Sequence, residues 1–309
     1  MPNELLLLVK YTLLYASVLM MVALGGMFSE RSGIINIALE GIMVIGGLIG
    51  VLATQMTHGL APVLQVLFSV LAAGLAGVVY SLLLAFASIN LKADQTIGGT
   101  ALNILATAIA MVIAKRVNGS QSSKLDYTNS AFIYKIFGID VNVFLFIGIA
   151  FLILSYIILY KTRLGLRLRS CGEHPQAADS VGINVYKMRY IGVLLSGFLG
   201  GIGGFAYIVP AVQSWNFEVG VAGMGFLALA VMIFGQWHPL KIALAAVFFS
   251  VFKSLANIAD SIEFLSKLQW PKEIYNMMPF IASMIILALF SRHSRAPKAE
   301  GVPYDKGSR

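Results

Sequence analysis

Residues 41–91 read GIMVIGGLIGVLATQMTHGLAPVLQVLFSVLAAGLAGVVYSLLLAFASINL, and no Lys, Arg, Asp or Glu interrupts them. A helix crossing the hydrocarbon core needs about 20 apolar residues. The stretch therefore holds two spans, with a turn at 54–62 that contains His58, Gly59 and Pro62. Its apolar runs are continuous rather than alternating, which selects helices over barrel strands. Working outward, the same test gives about nine spans, near 10–28, 34–53, 63–89, 96–114, 141–160, 190–210, 222–236, 241–260 and 275–291. Eight to ten spans fit the pattern, and 28–41 is open to being a broken or re-entrant helix. The expectation is an all-α polytopic membrane protein. Its membrane domain covers 1–293, and a tail at 294–309, rich in Pro, Gly and charge, is expected to be disordered.

Composition supports the same class. Of 309 residues, 58% are apolar and 12% charged, against roughly 25% charged in soluble domains. Mean hydropathy is +0.83. A soluble fold, a coiled coil and a disulfide scaffold are poor readings of such a chain. The net charge of +8 would suit nucleic acid, but its placement does not. Half the basic residues lie in 161–189 and 292–309, and with the acids Glu173, Asp179, Glu300 and Asp305 these segments hold +7 of the +8. That is the positive-inside signature of a protein whose partner is the lipid bilayer. Both segments are placed in the cytosol, four spans apart, which leaves the N-terminus outside. Residues 115–140 form the longest external loop. The single Cys171 excludes an intramolecular disulfide. Glu4 precedes the first apolar run, which reads as a retained span rather than a signal peptide.

Polar residues inside apolar runs mark where function could sit. Thr96, Thr100, Asn103 and Thr107 are spaced four, three and four, so they share one helix face. The face is a pathway wall for a polar solute, or it is a helix-packing seam. Asn36 and Glu40 are also four apart. An acid at span centre costs about 2.5–3.5 kcal/mol on insertion scales, so Glu40 needs a partner, a cavity or a proton. Lys253, Asn257 and Asp260 make a further polar face. The pairs Gly197/Gly201 and Gly200/Gly204 are small-xxx-small seams for close helix approach, not a phosphate loop. No nucleophile–base set lies in the spans, so no catalytic residue is assigned. His58, His174, His238 and His293 are scattered over loops, so no metal site is assigned either.

Within 165–189, Pro175 suits the first position of a helix and Gly182 the residue past its end. This predicts a helix of about two turns, too short to stand alone. Its small face, Ala177, Ala178 and Val181, could seat in a groove on another protein, or the helix could simply connect spans.

Gly172, Glu173, Pro175, Ala177, Ala178, Gly182 and Ile183 resemble the coupling loop of type II ABC-importer permeases, in the nucleoside and simple-sugar branch related to branched-chain amino-acid permeases. His174 departs from the Asn usual there. Residues 30–41, 96–103 and 223–239 resemble further motifs of that family in the same order, so the likeness covers about 11–291.

The resemblance implies a cytosolic coupling helix whose ATPase contacts come from Glu173, His174, Pro175, Ala177, Ala178 and Gly182. It implies three protein partners in a bacterial inner membrane: a cytosolic ABC ATPase, a second homologous permease and an extracytoplasmic substrate-binding lipoprotein. The chain has no Walker A pattern, so the partner hydrolyses ATP and this subunit is no enzyme and binds no cofactor. The expected function is nucleoside import by alternating access, with Asn36, Glu40 and the Thr96–Thr107 stripe lining the path. Trp215 and Phe217 are candidates for an outer gate. A simple-sugar permease and a stand-alone ion-coupled transporter, using Glu40 and the Lys253/Asp260 pair, are the alternatives.

Overall fold

The computed structural model describes residues 2–119, 122–136, 139–262, 267, 271–290 and 296–307. Eleven α-helices run through them in the order α1 (Pro2–Arg31), α2 (Leu39–Met56), α3 (Pro62–Ala85), α4 (Gln95–Asn118), α5 (Val143–Lys161), α6 (Arg163–Glu173), α7 (Pro175–Ser180), α8 (Val185–Ile208), α9 (Met224–Phe234), α10 (Pro239–Asn257) and α11 (Lys272–Phe290). A π-helical turn, Phe86–Asn90, prolongs α3. Seven helices among the described residues are long and apolar enough to cross a membrane: α1 to α5, α8 and α10. Helix α11 occupies the last expected span. Helix α9, with 11 residues, is about 16 Å long at 1.5 Å per residue, half of a hydrocarbon core about 30 Å thick.

Burial is inverted relative to a soluble bundle. Leu67, Leu75, Val79, Ile104, Ile153 and Leu244 are exposed on the outward faces, where lipid would solvate them. The centre is α8, which packs against α1, α2 and α3. Its glycine seams explain how. A Cβ on Gly204 would stand 1.9 Å from the Met43 carbonyl oxygen of α2, and one on Gly197 would stand 2.6 Å from that of Gly77 on α3. Neither glycine has room for a side chain, as expected of small-residue packing in membranes.

Side-chain caps begin several helices. Asp94 Oδ1 accepts from the amides of Thr96 and Ile97 at the start of α4, and Asn184 Oδ1 accepts from that of Lys187 at the start of α8. The loop after α4 is not structureless. Strand β1 (Lys124–Asp126) pairs antiparallel with β4 (Ser214–Asn216), and β2 (Ile133–Ile136) with β3 (Ile139–Asn142). The first pairing clamps the two loops at the end of the bundle opposite the basic segments.

Residues 296–307 fold back on the basic end of the bundle, and Ala299 and Tyr304 are buried there at 8% and 4% exposure. Composition alone suggested disorder. The segment nevertheless finds backbone partners and an aromatic anchor on the helices it covers.

Candidate functional site

Two regions gather the candidate residues. The first surrounds a break between α1 and α2. Helix α1 ends in a Schellman turn: the Ile34 amide donates to the Ser29 carbonyl, the Gly33 amide to that of Glu30, and Gly33 takes φ +98°. Residues 32–38 then rise without helix before α2 starts at Leu39. Asn36 and Glu40 are therefore not on one helical face, because the turn separates them. Asn36 Nδ2 donates to Ser196 Oγ of α8 at 2.8 Å, while its Oδ1 is buried with no partner among the described residues.

Glu40 lies in the first turn of α2 and reaches the start of α9. The Gly223 amide donates to its Oε1 at 2.8 Å and the Gly225 amide to its Oε2 at 2.7 Å. Helix N-termini present unpaired N–H groups and a positive dipole end. The carboxylate thus caps α9 and also lies at the positive end of its own helix, α2. The buried Lys253 of α10 adds an electrostatic attraction to Glu40. The expected Lys253/Asp260 pair falls outside the described residues at the Asp260 side chain.

Helix α4 splits the expected polar stripe. Its buried seam is Gln95, Gly99, Asn103, Ala106, Ala110 and Ala114. Asn103 belongs to that seam: its Oδ1 accepts from the Gly41 amide at 2.8 Å and its Nδ2 donates to the Ile37 carbonyl at 2.9 Å. It brackets the break. Gln95, which the sequence did not single out, does the same about two turns earlier by accepting from the Ile35 amide at 2.7 Å. Thr96 and Thr100 are exposed one step around the helix, and Thr107 is half-buried. Thr100 Oγ1 only bonds back to the Thr96 carbonyl.

The outer aromatic pair also divides. Trp215 is half-buried, donating its ring N–H to the Gly220 carbonyl at 3.1 Å and meeting Tyr207 edge-on. Phe217 is fully buried in the main core, so its ring faces no opening in this conformation.

The second region is the surface at the basic end. Thr162 caps α6, whose last residue, Glu173, pairs with Arg31 at 3.7 Å. Pro175 opens α7, and Gly182, at φ +82°, closes it in a second Schellman turn. The small face of α7 is not shared as expected. Ala178 is turned inward against Cys171, Val185, Met188 and Tyr304. Glu173, His174, Gln176, Ala177 and Val181 remain exposed, Val181 at 73%. Pro175 is buried and Gly182 exposed. His174 makes no side-chain cap. Burial pushes the Cys171 thiol up, which keeps it in its unreactive protonated form.

A set of broken helices joined by buried polar brackets, with a short exposed helix at one end, is the anatomy of a transporter subunit. Residues 8–289 match the profile of a family described as the permease component of the branched-chain amino acid transport system. The chain belongs to this permease family. Among relatives, it is similar to the guanosine ABC transporter permease protein NupQ of Bacillus subtilis, 42% identical over 98% of each chain. It is equally similar to the nucleoside ABC transporter permease protein NupC of Lactococcus lactis, 41% identical over 98% of each. A second nucleoside permease protein of that strain, NupB, is 29% identical over 54% of this chain and 46% of its own. The permease is thus a multi-pass membrane protein whose expected family holds.

Proposed function

We propose that this permease is one of two membrane subunits of an ATP-driven nucleoside importer in the bacterial inner membrane. The observation that carries the reading is similarity along nearly the full length to permeases named for guanosine and nucleosides. NupB and NupC, two homologous permease proteins from one strain, support a second, non-identical permease as partner. The exposed Thr96 and Thr100 support a path between the two subunits: hydroxyls on an uncovered membrane face are costly in lipid and suit a neutral, hydroxyl-rich solute. A cytosolic ABC ATPase would hydrolyse the ATP, and an extracytoplasmic lipoprotein would deliver the nucleoside.

In this reading the ATPase presses on Glu173, His174, Gln176, Ala177 and Val181, the exposed face around α7. The push passes to α6 and α8, whose ends flank α7. Helix α8 carries Ser196, the partner of Asn36, so the break between α1 and α2 moves with it. Glu40 then transmits the shift to α9 as a charge-assisted tie.

Uptake of labelled guanosine into cells with and without the chain tests this. The expected result is loss of guanosine uptake on deletion, unchanged glucose uptake, and the same loss when the partner ATPase is inactivated. Uptake that survives ATPase inactivation and follows an ion gradient would contradict it.

A further inference from the structure

Residues 296–307 reach α6, α7, α8 and the α1–α2 break at the basic end. The Ala299 amide donates to the Gly172 carbonyl at the end of α6 at 2.8 Å, and the Gly301 amide to the Gly33 carbonyl in the α1–α2 break at 3.2 Å. Arg189 of α8 is buried at 1% exposure, and its Nη1 donates to the tail's Val302 carbonyl at 3.0 Å. Its Nε and Nη2 find no partner among the described residues. Tyr304 packs beneath Ala178 of α7 and meets the Tyr186 ring at 5.4 Å between centroids. Lys306 Nζ lies 3.7 Å from the Asp179 carboxylate of α7, and Lys92, beyond α3, pairs with Asp305 at 2.8 Å.

We infer that residues 296–307 are a coupling strap: they hold α7 on the bundle and carry its displacement to the α1–α2 break, with Tyr304 as the positioning residue. Helix α7 has six residues and cannot hold its shape unaided. Its underside meets Tyr304 of the tail together with Cys171, Val185 and Met188, and its Asp179 is held by Lys306 of the tail. The same strap, three residues earlier, is bonded to Gly33. Displacing α7 therefore pulls on the turn that positions Asn36 and Glu40, without passing through α8. The route is contiguous and covalent between Gly301 and Tyr304, unlike a chain of side-chain contacts. The coupling half of this inference rests on the importer reading above; the strap itself does not.

Amide hydrogen exchange on the full chain in lipid nanodiscs tests the strap. Tyr304→Ala is expected to speed exchange at least tenfold over 174–183 and over 32–38, with α3 unchanged, while Tyr304→Phe stays near the parent over 32–38. A variant ending at residue 295 should match Tyr304→Ala. In the importer assembled with its ATPase, Tyr304→Ala should lower nucleoside uptake per ATP severalfold while the ATPase still co-purifies. Unchanged exchange over 174–183 would overturn the strap. Faster exchange with unchanged uptake per ATP would overturn its role in coupling. Failure of the parent chain to bind any ATPase would count against the importer reading alone, because the exchange result still decides the strap.

Discussion

The junction around Glu40 and the surface around α7 are built from opposite materials. At the junction, backbone amides of α2 and α9 and the carbonyl of Ile37 are satisfied by two side chains, Glu40 and Asn103, at 2.7–2.9 Å and away from bulk water. Around α7, the ties are partly exposed ion pairs at 3.7 Å, one tyrosine and two backbone bonds from a tail. Hydrogen bonds to a charged group contribute about 1.5–3 kcal/mol, whereas exposed ion pairs contribute at most about 1 kcal/mol. The contrast separates a stiff transmitting element from a compliant receiving one. In the proposed importer, a push from the ATPase would be absorbed as movement at α7 and delivered as displacement, not melting, at the junction.

The largest expected effect breaks the stiff side. Glu40→Ala strands the Gly223 and Gly225 amides and leaves Lys253 without its attraction. Each unsatisfied buried donor costs about 1–3 kcal/mol, so thermal unfolding in detergent should fall well below the parent and little folded protein should be recovered. Glu40→Gln should be milder, since an amide oxygen still accepts one bond. A parent-like melting temperature for Glu40→Ala would show that the tie is not structural. Next is Asn103→Leu, which removes the bracket on Gly41 and Ile37. A loss of about 1–3 kcal/mol is expected, read as faster exchange at residues 37–41. Unchanged exchange there would return Asn103 to the pathway wall.

A smaller, pH-dependent effect sharpens the compliant side. Burial raises the pKa of Glu300 in the tail, opposed by the influence of the nearby Glu30 carboxyl and the charge of Arg31. A value raised on docking means the docked tail favours the proton. That stabilisation is complete below the ordinary glutamate range, about 4.3, and is lost as pH rises through the docked value. Proteolysis of the tail should therefore speed up with rising pH, and Glu300→Gln should flatten the profile. A pH-independent rate in the parent would contradict this. The smallest effect on stability is expected for Ala177→Arg, an exposed change within about 0.5 kcal/mol. It should nonetheless abolish ATPase association, which melting and co-purification measured together would check.

Much of this was legible beforehand, for physical reasons that differ by region. Charge-free runs revealed the spans because lipid tolerates little else. Pro175 and Gly182 bounded α7 because each has a backbone preference that few residues share. Gly33 carried the same signal at the end of α1, a glycine followed by the apolar Ile34, and it marks a break that the spacing of Asn36 and Glu40 hid. Asn103 was grouped with the threonines because the stripe and the seam differ by one step around α4. Only the neighbour α2 decides which residue belongs to which. Which way Ala178 faces depends on Tyr304, more than a hundred residues away, and no local pattern reports that. Nor could spacing show that Glu40 reaches α9, since its ligands are backbone amides.

The central claim is that the exposed face of α7 receives a separate hydrolysing subunit, and a thiol at Ala177 tests it most directly. Cys171 is buried and its thiol is held protonated, so Ala177→Cys supplies the accessible reactive sulfur. In native membranes, a short bifunctional thiol reagent should link position 177 to one ATP-hydrolysing protein, with a yield that changes on adding ATP. A clean absence of that product, with Ala177→Cys folded and labelled by a soluble maleimide, would contradict the account.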